Sequence, residues 1–398
     1  MVLFLHNRYR TTGGEERVVE DLRWLVRERL GEPAELLQRD SAALGRAAAA
    51  AGLLGGGLHP RDVARAVALT GARVVHAHNV HPSLGWRALA AARGAGARVV
   101  LHLHQYRLVC AVGVCFTRGA PCTRCHGRNT LPGVLRNCRH SGGGGEALAY
   151  GAALALWQRR LVAQADAIVV PSGFAREQLR ALGAPLPWER VHVLPPPVRA
   201  LARERAHPPE MPASASAGEG EGEGEGEGRY ALVVSRLAAE KGIEVAIDAC
   251  RLAARPLVVV GDGPERGALQ ARAAAPGRPA AASVRFAGRV GERELARLRA
   301  GAALALVPSR APETFGMAAA EAMAAGLPVA ASRVGALPEL IGEEDGVVEP
   351  GDPHALAGAI ERRWCDREAG RRGHERVREI CAPDAVARRL ARIYGETG

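Results

Sequence analysis

Short apolar runs alternate along the chain with longer stretches whose apolar residues recur three and four positions apart. Val2–Leu5, Val74–Ala77, Val99–Leu103 and Ala167–Val170 are apolar almost throughout, the pattern of parallel strands covered on both faces. After the first of them, Val18, Val19, Leu22, Leu25, Val26 and Leu30 fall at helical spacing. The alternation resumes at Tyr230, where Ala231–Val234, Leu257–Val260, Val284–Ala287, Ala303–Val307 and Pro328–Ala331 are the expected strands. Strand–helix alternation predicts α/β architecture with parallel sheets. Two such runs predict two Rossmann-like domains facing across a cleft.

The expected boundaries follow from breaks in the pattern. Residues 1–194 form the first domain, 195–229 a linker, and 230–375 the second domain. Residues 376–398 are expected to return to the first domain as a helix, amphipathic over Asp384–Tyr394. Pro195-Pro196-Pro197 opens the linker and a Glu-Gly repeat over 219–228 closes it. A repeat of that kind has nothing to bury and is expected to be extended or disordered.

Charge is uneven. Residues 1–200 carry a net +13 and the remainder −2, within a total of +11. A basic first half suits an acidic partner such as an anionic membrane surface, although a solvated arginine-rich face has the same composition. No run of eighteen apolar residues is present, so no transmembrane helix is expected. The start, MVLFLHNRYR, places its charge after the apolar run. It therefore reads as a strand and not as a secretion signal, and a cytoplasmic location is expected, peripheral to the inner membrane face if the basic surface meets lipid. Lys241 is the one lysine among 53 basic residues. Lysine is a compact point charge where arginine is a planar fork.

Candidate chemistry gathers in the second half. Pro308–Pro328 reads PSRAPETFGMAAAEAMAAGLP, with Glu313 in a loop, Gly316 at a helix start and Glu321 inside the helix. The first N–H groups of a helix lack internal partners and form a ready anion site. Carboxylates flanking such a site suit hydroxyl groups beside a phosphate, as a sugar nucleotide presents. Upstream, VVSRLAAEKGIE sets Arg236 and Lys241 at a strand-to-helix junction, and VVVGDGPER sets Asp262 in a turn at a strand's carboxyl end, where α/β sheets bind ligands.

In order, SRL-x2-EKG, GDGPE, FAGRV and PS-x2-PETFGMAAAEAMAAGLPV resemble the nucleotide-binding half of the retaining glycosyltransferases of family 4, which have the two-domain GT-B fold. The resemblance covers nearly all of residues 230–350 and extends more loosely into the first half. It implies a nucleotide-diphosphate sugar as donor, UDP- or GDP-linked, and a saccharide or lipid-linked acceptor in surface polysaccharide or glycolipid synthesis. Arg236 and Lys241 then match the pair that neutralises the diphosphate. Glu313 matches the carboxylate on the transferred sugar, and Glu321 the one on the ribose. The backbone of Phe315, Gly316 and Met317 matches the loop around sugar and phosphate, Arg289 and Val290 the loop beside the base, and the Gly13-Gly14 loop the glycine-bearing approach to the phosphates. His104, in HLHQYR, matches the cleft histidine, with Gln105 where many relatives have Asp or Asn. The family generally needs no metal, and the chain has no Asp-x-Asp. It is thought to retain configuration by same-face attack, with a donor phosphate oxygen taking the acceptor's proton, so a hydrolase-like pair of catalytic carboxylates is not required.

Five of eight cysteines lie between Cys110 and Cys138. Cys110, Cys122, Cys125 and Cys138 suit a four-thiolate structural zinc site, with His126 and His140 as competing ligands. Reduced thiols are the alternative, and a disulfide is disfavoured in a reducing cytoplasm. Some bacterial family members resemble this segment. His76, His78 and His81 form another cluster that either lines the cleft or occupies a plain loop. The competing function is a basic nucleic-acid- or membrane-binding protein with a zinc-clipped loop and no transferase activity. Aromatic content of 4% and the lack of a nucleic-acid module argue against nucleic acid.

Overall fold

The computed structural model describes residues 1–9, 13–139, 145–202, 229–276 and 279–395. Most of the Glu-Gly linker, and His140, lie outside them. The chain forms two compact units. The first takes Met1–Thr117, Pro121–Pro197 and Pro383–Gly398, and the second takes Arg118–Ala120 and Val198–Ala382. Among the described residues no helix is long and apolar enough to cross a membrane.

The first unit is built on strands β1 (Val2–Arg8), β2 (Ala34–Asp40), β3 (Val74–Ala77) and β4 (Arg98–His102). A two-stranded ribbon follows, β5 (Phe116–Thr117) with β6 (Ala120–Pro121), and then β7 (Ala167–Val170) and β8 (Val191–Val193). Its six-stranded sheet runs β2-β1-β3-β4-β7-β8 and is parallel at every pairing. β3 and β7 are buried at every residue, and β1 at six of seven. Helices on both faces leave no strand face for water, and this is why these strands read as unbroken apolar runs.

The second unit's sheet is β11 (Val284–Gly288), β10 (Leu257–Val260), β9 (Tyr230–Val234), β12 (Ala302–Val307), β13 (Val329–Ser332) and β14 (Val347–Val348), in that spatial order and again parallel. The order reverses between β9 and β12. At such a switch point the loops leaving the two strands diverge to opposite faces and open a crevice at the carboxyl ends.

The C-terminal helices divide at Pro383. Arg367–Cys381 stays with the second unit, where Val377 and Cys381 enter the core. Pro383–Ile393 packs on helix Gly14–Arg29 of the first. The return to the first unit thus begins at 383 and not at 376, because proline cannot continue the preceding helix. The leading boundary also moves. Val198 and Leu201 pack in the second core, and the Val198 N–H donates to the Cys381 carbonyl at 3.1 Å.

Just past the returning helix lies Tyr394, 2% exposed, whose hydroxyl is 2.7 Å from His76 Nδ1 on β3. Tyr394→Phe strips a buried ring of that partner. It is expected to destabilise the protein by about 1–3 kcal/mol, read as a lowered thermal midpoint.

Candidate functional site

In the second unit, the loop leaving β9 carries Arg236 and Lys241, and the loop leaving β12 carries Ser309 and Glu313. The two loops touch backbone to backbone. Gly242, at φ +64, is so close to the Pro308 carbonyl that a Cβ would lie 2.0 Å from its oxygen. The amides of Arg310 and Ala311 both donate to the Glu240 carbonyl, at 2.9 and 3.2 Å. This contact brings Lys241 Nζ to 2.7 Å from Glu313 Oε1, which also accepts from the Ser309 hydroxyl at 2.5 Å. Burial alone would raise the Glu313 carboxyl, but the opposing charge and hydrogen bond of Lys241, the Ser309 bond and the Arg236 charge together hold it below its ordinary range. Glu313 is therefore an ionised acceptor. Arg236 is exposed and pairs with Glu240 one turn on.

Glu313 is fixed from behind as well. Its carbonyl accepts from the Ala336 amide at 2.9 Å, and a Cβ on Gly335 would lie 2.2 Å from both its nitrogen and its oxygen. Gly316, at φ +104, starts helix Met317–Ala324. The Phe315 ring is turned into the core, so this residue offers the site its backbone. The N–H groups at that helix start have no intrahelical acceptor and carry the positive end of its dipole. Glu321, one turn further on, pairs with Arg299 of helix Glu292–Ala300.

Asp262 lies in the GDGP turn after β10. Its Oδ1 accepts from the Gly263 amide at 2.8 Å, and Arg266 stands 3.5 Å from its Oδ2. The flanking glycines have a packing reason. A Cβ at Gly261 would come within 1.8 Å of the Ser235 carbonyl oxygen, and one at Gly263 within 2.2 Å of that of Leu237. Arg289 is exposed after β11, and Val290 packs partly on the core.

In the first unit the strand order reverses between β1 and β3, and histidines collect there. His6 lies on β1, His76 on β3 with His78 just after it, and His102 ends β4 with His104 just after it. His102 and His104 stack with ring centroids 4.1 Å apart. His76 Nε2 lies 3.2 Å from His102 Nδ1, and His78 Nδ1 2.7 Å from His104 Nε2. Burial, reinforced by the neighbouring rings, pushes His76 down to about 3 and holds His78, His102 and His104 well below the ordinary imidazole value. The column is neutral at physiological pH. Ring nitrogens of His76, His78 and His102 lie within 4.8 Å of one another, a spacing that suits a metal ion. Their planes, however, are stacked at 14–29°, and ring lone pairs lying in nearly parallel planes do not converge on one ion.

Tyr9, Glu15, His78, His104, Gln105 and Arg107 line one pocket of this unit. The Tyr9 hydroxyl donates to Glu15 at 2.9 Å, and Arg107 sits 4.6 Å over the Tyr9 ring. Burial raises the Glu15 carboxyl, against the pull of His6, Tyr9 and Arg107. Gly13 caps helix Gly14–Arg29, its amide donating to Glu16 Oε2 at 2.8 Å. A Cβ on Gly14 would meet nothing within 4 Å, so internal packing does not demand glycine there.

The fold brings Lys241 and Glu313 together, with Arg236 close enough to act on the carboxylate. Ser309, Arg299, Glu15 and Tyr9 were not singled out by sequence. Arg299 reaches Glu321 from a separate helix that no local motif marks, and Ser309, though inside the motif that carries Glu313, had no role assigned to it.

Comparison with known proteins agrees with the fold. The family profile described as glycosyl transferase 4-like domain matches residues 5–197, and that described as glycosyl transferases group 1 matches residues 228–366. The chain is 33% identical over 252 residues to a GDP-mannose-dependent alpha-(1-6)-phosphatidylinositol dimannoside mannosyltransferase of Mycobacterium tuberculosis, covering 59% of this chain and 55% of that protein. It is 30% identical over 263 residues to the alpha-D-kanosaminyltransferase of Streptomyces kanamyceticus, covering 62% and 64%. The matches thus span little more than half the length of these curated relatives. Among solved structures, Anabaena HepE in complex with UDP superposes with a TM-score of 0.61 at 19% identity over 99% of both chains. Sucrose-phosphate synthase from Thermosynechococcus elongatus gives 0.63 at 19% identity over 99% and 98%. The fold is GT-B, and the chain belongs to the group 1 glycosyltransferases of family 4.

Two measurements check the electrostatics. Lys241→Met removes the main cation beside Glu313, so burial is expected to push the carboxyl upward, read by carbon NMR titration; an unchanged titration would show that Lys241 does not set its charge. For the histidines, below about pH 6.5 the unfolded chain takes up protons that the buried rings refuse. Their stabilisation is complete above that pH and is lost as pH falls. The thermal midpoint is expected to drop between pH 8 and pH 5, and a level profile would contradict a neutral buried column.

Proposed function

We propose that the chain is a retaining hexosyltransferase that moves a sugar from a nucleotide-diphosphate donor to a saccharide or lipid-linked acceptor. The observation that carries this is the Lys241–Glu313–Ser309 constellation at the carboxyl ends of β9 and β12, beside the helix start at Gly316. Transfer leaves a diphosphate, so negative charge grows on the leaving oxygen. Lys241, Arg236 and the N–H groups of helix Met317–Ala324 stabilise that charge, as an oxyanion hole does. Glu313 accepts hydrogen bonds from hydroxyls of the transferred sugar. Lys241 keeps it ionised, and Ser309 helps to hold its orientation. Glu321, held by Arg299, takes the ribose hydroxyls, and Arg289 and Val290 border the base. Asp262 orders the GDGP turn at the donor side.

Attack occurs on the face the leaving group departs, with a donor phosphate oxygen accepting the acceptor's proton. Gly13 and Gly14 allow the phosphates to approach the backbone. His104 stands on the acceptor side, in the pocket shared with Tyr9, Glu15 and Arg107. The donor is UDP- or GDP-linked: one relative is named as GDP-mannose-dependent, and one structural neighbour was solved with UDP. The net +13 of the first 200 residues suits a peripheral position on anionic lipid at the inner membrane face, where lipid-linked acceptors reside.

The test is a panel of nucleotide sugars scored by thermal shift and by release of nucleotide diphosphate, with Lys241→Ala and Glu313→Ala beside the wild type. The cognate donor is expected to raise the thermal midpoint by mass action. Each substitution is expected to lower turnover by about 10²–10³-fold. Transfer that survives both substitutions at wild-type rate would overturn the reading.

A further inference from the structure

The segment after β4 brings five cysteines onto one pocket. Cys110, Cys115, Cys122, Cys125 and Cys138 all line it, all unbridged, four of them buried and Cys122 partly exposed. Spacing alone selects four. The fold adds Cys115, which lines the same pocket as Cys110. Cys115 holds φ at +50, a left-handed conformation unusual for a residue with a side chain. The Cys122 amide donates to the Cys115 carbonyl at 2.7 Å, which ties the Cys122–Cys125 pair to this residue.

The backbone is arranged around the sulfurs. The Cys138 amide donates to the Gly133 carbonyl at 3.0 Å, and a Cβ on Gly133 would lie 3.6 Å from the Cys125 sulfur. The segment has little else to hold it. Between Cys110 and Cys138 regular structure amounts to the two-residue strands β5 and β6 and the helix Leu131–Leu135. A stretch of this length with so little secondary structure is uncommon in a compact domain unless something pins it.

We propose that this pocket binds one soft divalent metal ion of the zinc class, in an all-thiolate site whose ligands include Cys115. Zinc takes four thiolates tetrahedrally at about 2.3 Å. Among the described residues the three-ligand group already within 4.8 Å is the histidine one, so the cysteine side chains swing inward on binding. The ion neutralises the clustered thiolates and cross-links the segment that begins just past Gln105 and Arg107.

The experiment uses the full chain purified without added metal, its metal content measured by mass spectrometry, followed by exchange into cobalt(II). About one zinc ion per chain and the intense visible and near-ultraviolet bands of tetrahedral thiolate-bound cobalt are expected. Cys115→Ser is expected to weaken metal binding by at least about tenfold and to alter the cobalt spectrum, while Cys365→Ser, at an exposed cysteine outside the pocket, leaves both unchanged. Wild-type affinity and spectrum in Cys115→Ser would overturn the role of Cys115. Absence of stoichiometric metal, with the five thiols either fully reactive or joined in disulfides, would overturn the site. If Cys115→Ser does not fold, chelator competition on the wild-type chain decides: stoichiometric zinc release supports the site, and no release with no bound metal overturns it.

Discussion

The loops at the carboxyl ends of the second sheet are in direct backbone contact, and the candidate site depends on this. Gly242 lies against the Pro308 carbonyl, Gly261 against Ser235, Gly263 against Leu237, and Gly335 against Glu313. None of these gaps admits a Cβ. Three loops and the turn after β13 are therefore held at fixed separations by main chain, which has far less freedom than side chains. Charged groups mounted on such loops keep their geometry without a ligand to organise them, which is the preorganisation that electrostatic catalysis needs.

Within that frame one charge pair sets the chemistry. An ammonium is a single compact charge that can share one carboxylate oxygen with a serine hydroxyl, as Lys241 does with Ser309 on Glu313 Oε1. A guanidinium is a planar fork that favours both oxygens at once. The persistence of one lysine in an arginine-rich chain then has a physical reason at this position. Elsewhere arginine serves well, as where Arg299 meets Glu321 and where Arg363 is buried among Glu343, Asp345 and Asp366.

Strands with both faces covered were legible because burial wrote them as apolar runs: β1, β3, β7, β9, β10 and β12 all lie where the pattern put them, within a residue or two at the ends save β1, which runs on to Arg8. β2 was missed because only Ala34 of its seven residues is fully buried. β8 and β14 were missed because they are only three and two residues long. In the second-unit site, the pairing of Lys241 with Glu313 links positions seventy-two apart, which no local pattern records. Both had been marked by motif, but as contacts to separate parts of a ligand. The GDGP glycines had been read as a tight turn or a nucleotide contact, whereas their tightest constraint is the neighbouring loop. His78 and His102 were visible as residues, but their stacking came only when parallel strands set them side by side.

The second unit occupies one uninterrupted stretch, Val198–Ala382, apart from three residues, while the first unit is completed by residues on both sides of it. The first unit therefore stays incomplete until the chain returns to it from the second. By Ala382 every strand of the second sheet has been made, and domains fold as units. The first sheet, although made earlier, still lacks helix Pro383–Ile393 and the Tyr394 hydroxyl that meets His76. Pro383–Ile393 with Tyr394 thus acts as a closing stitch, and a chain cut after Ala382 keeps the second unit whole while leaving the first without its last helix.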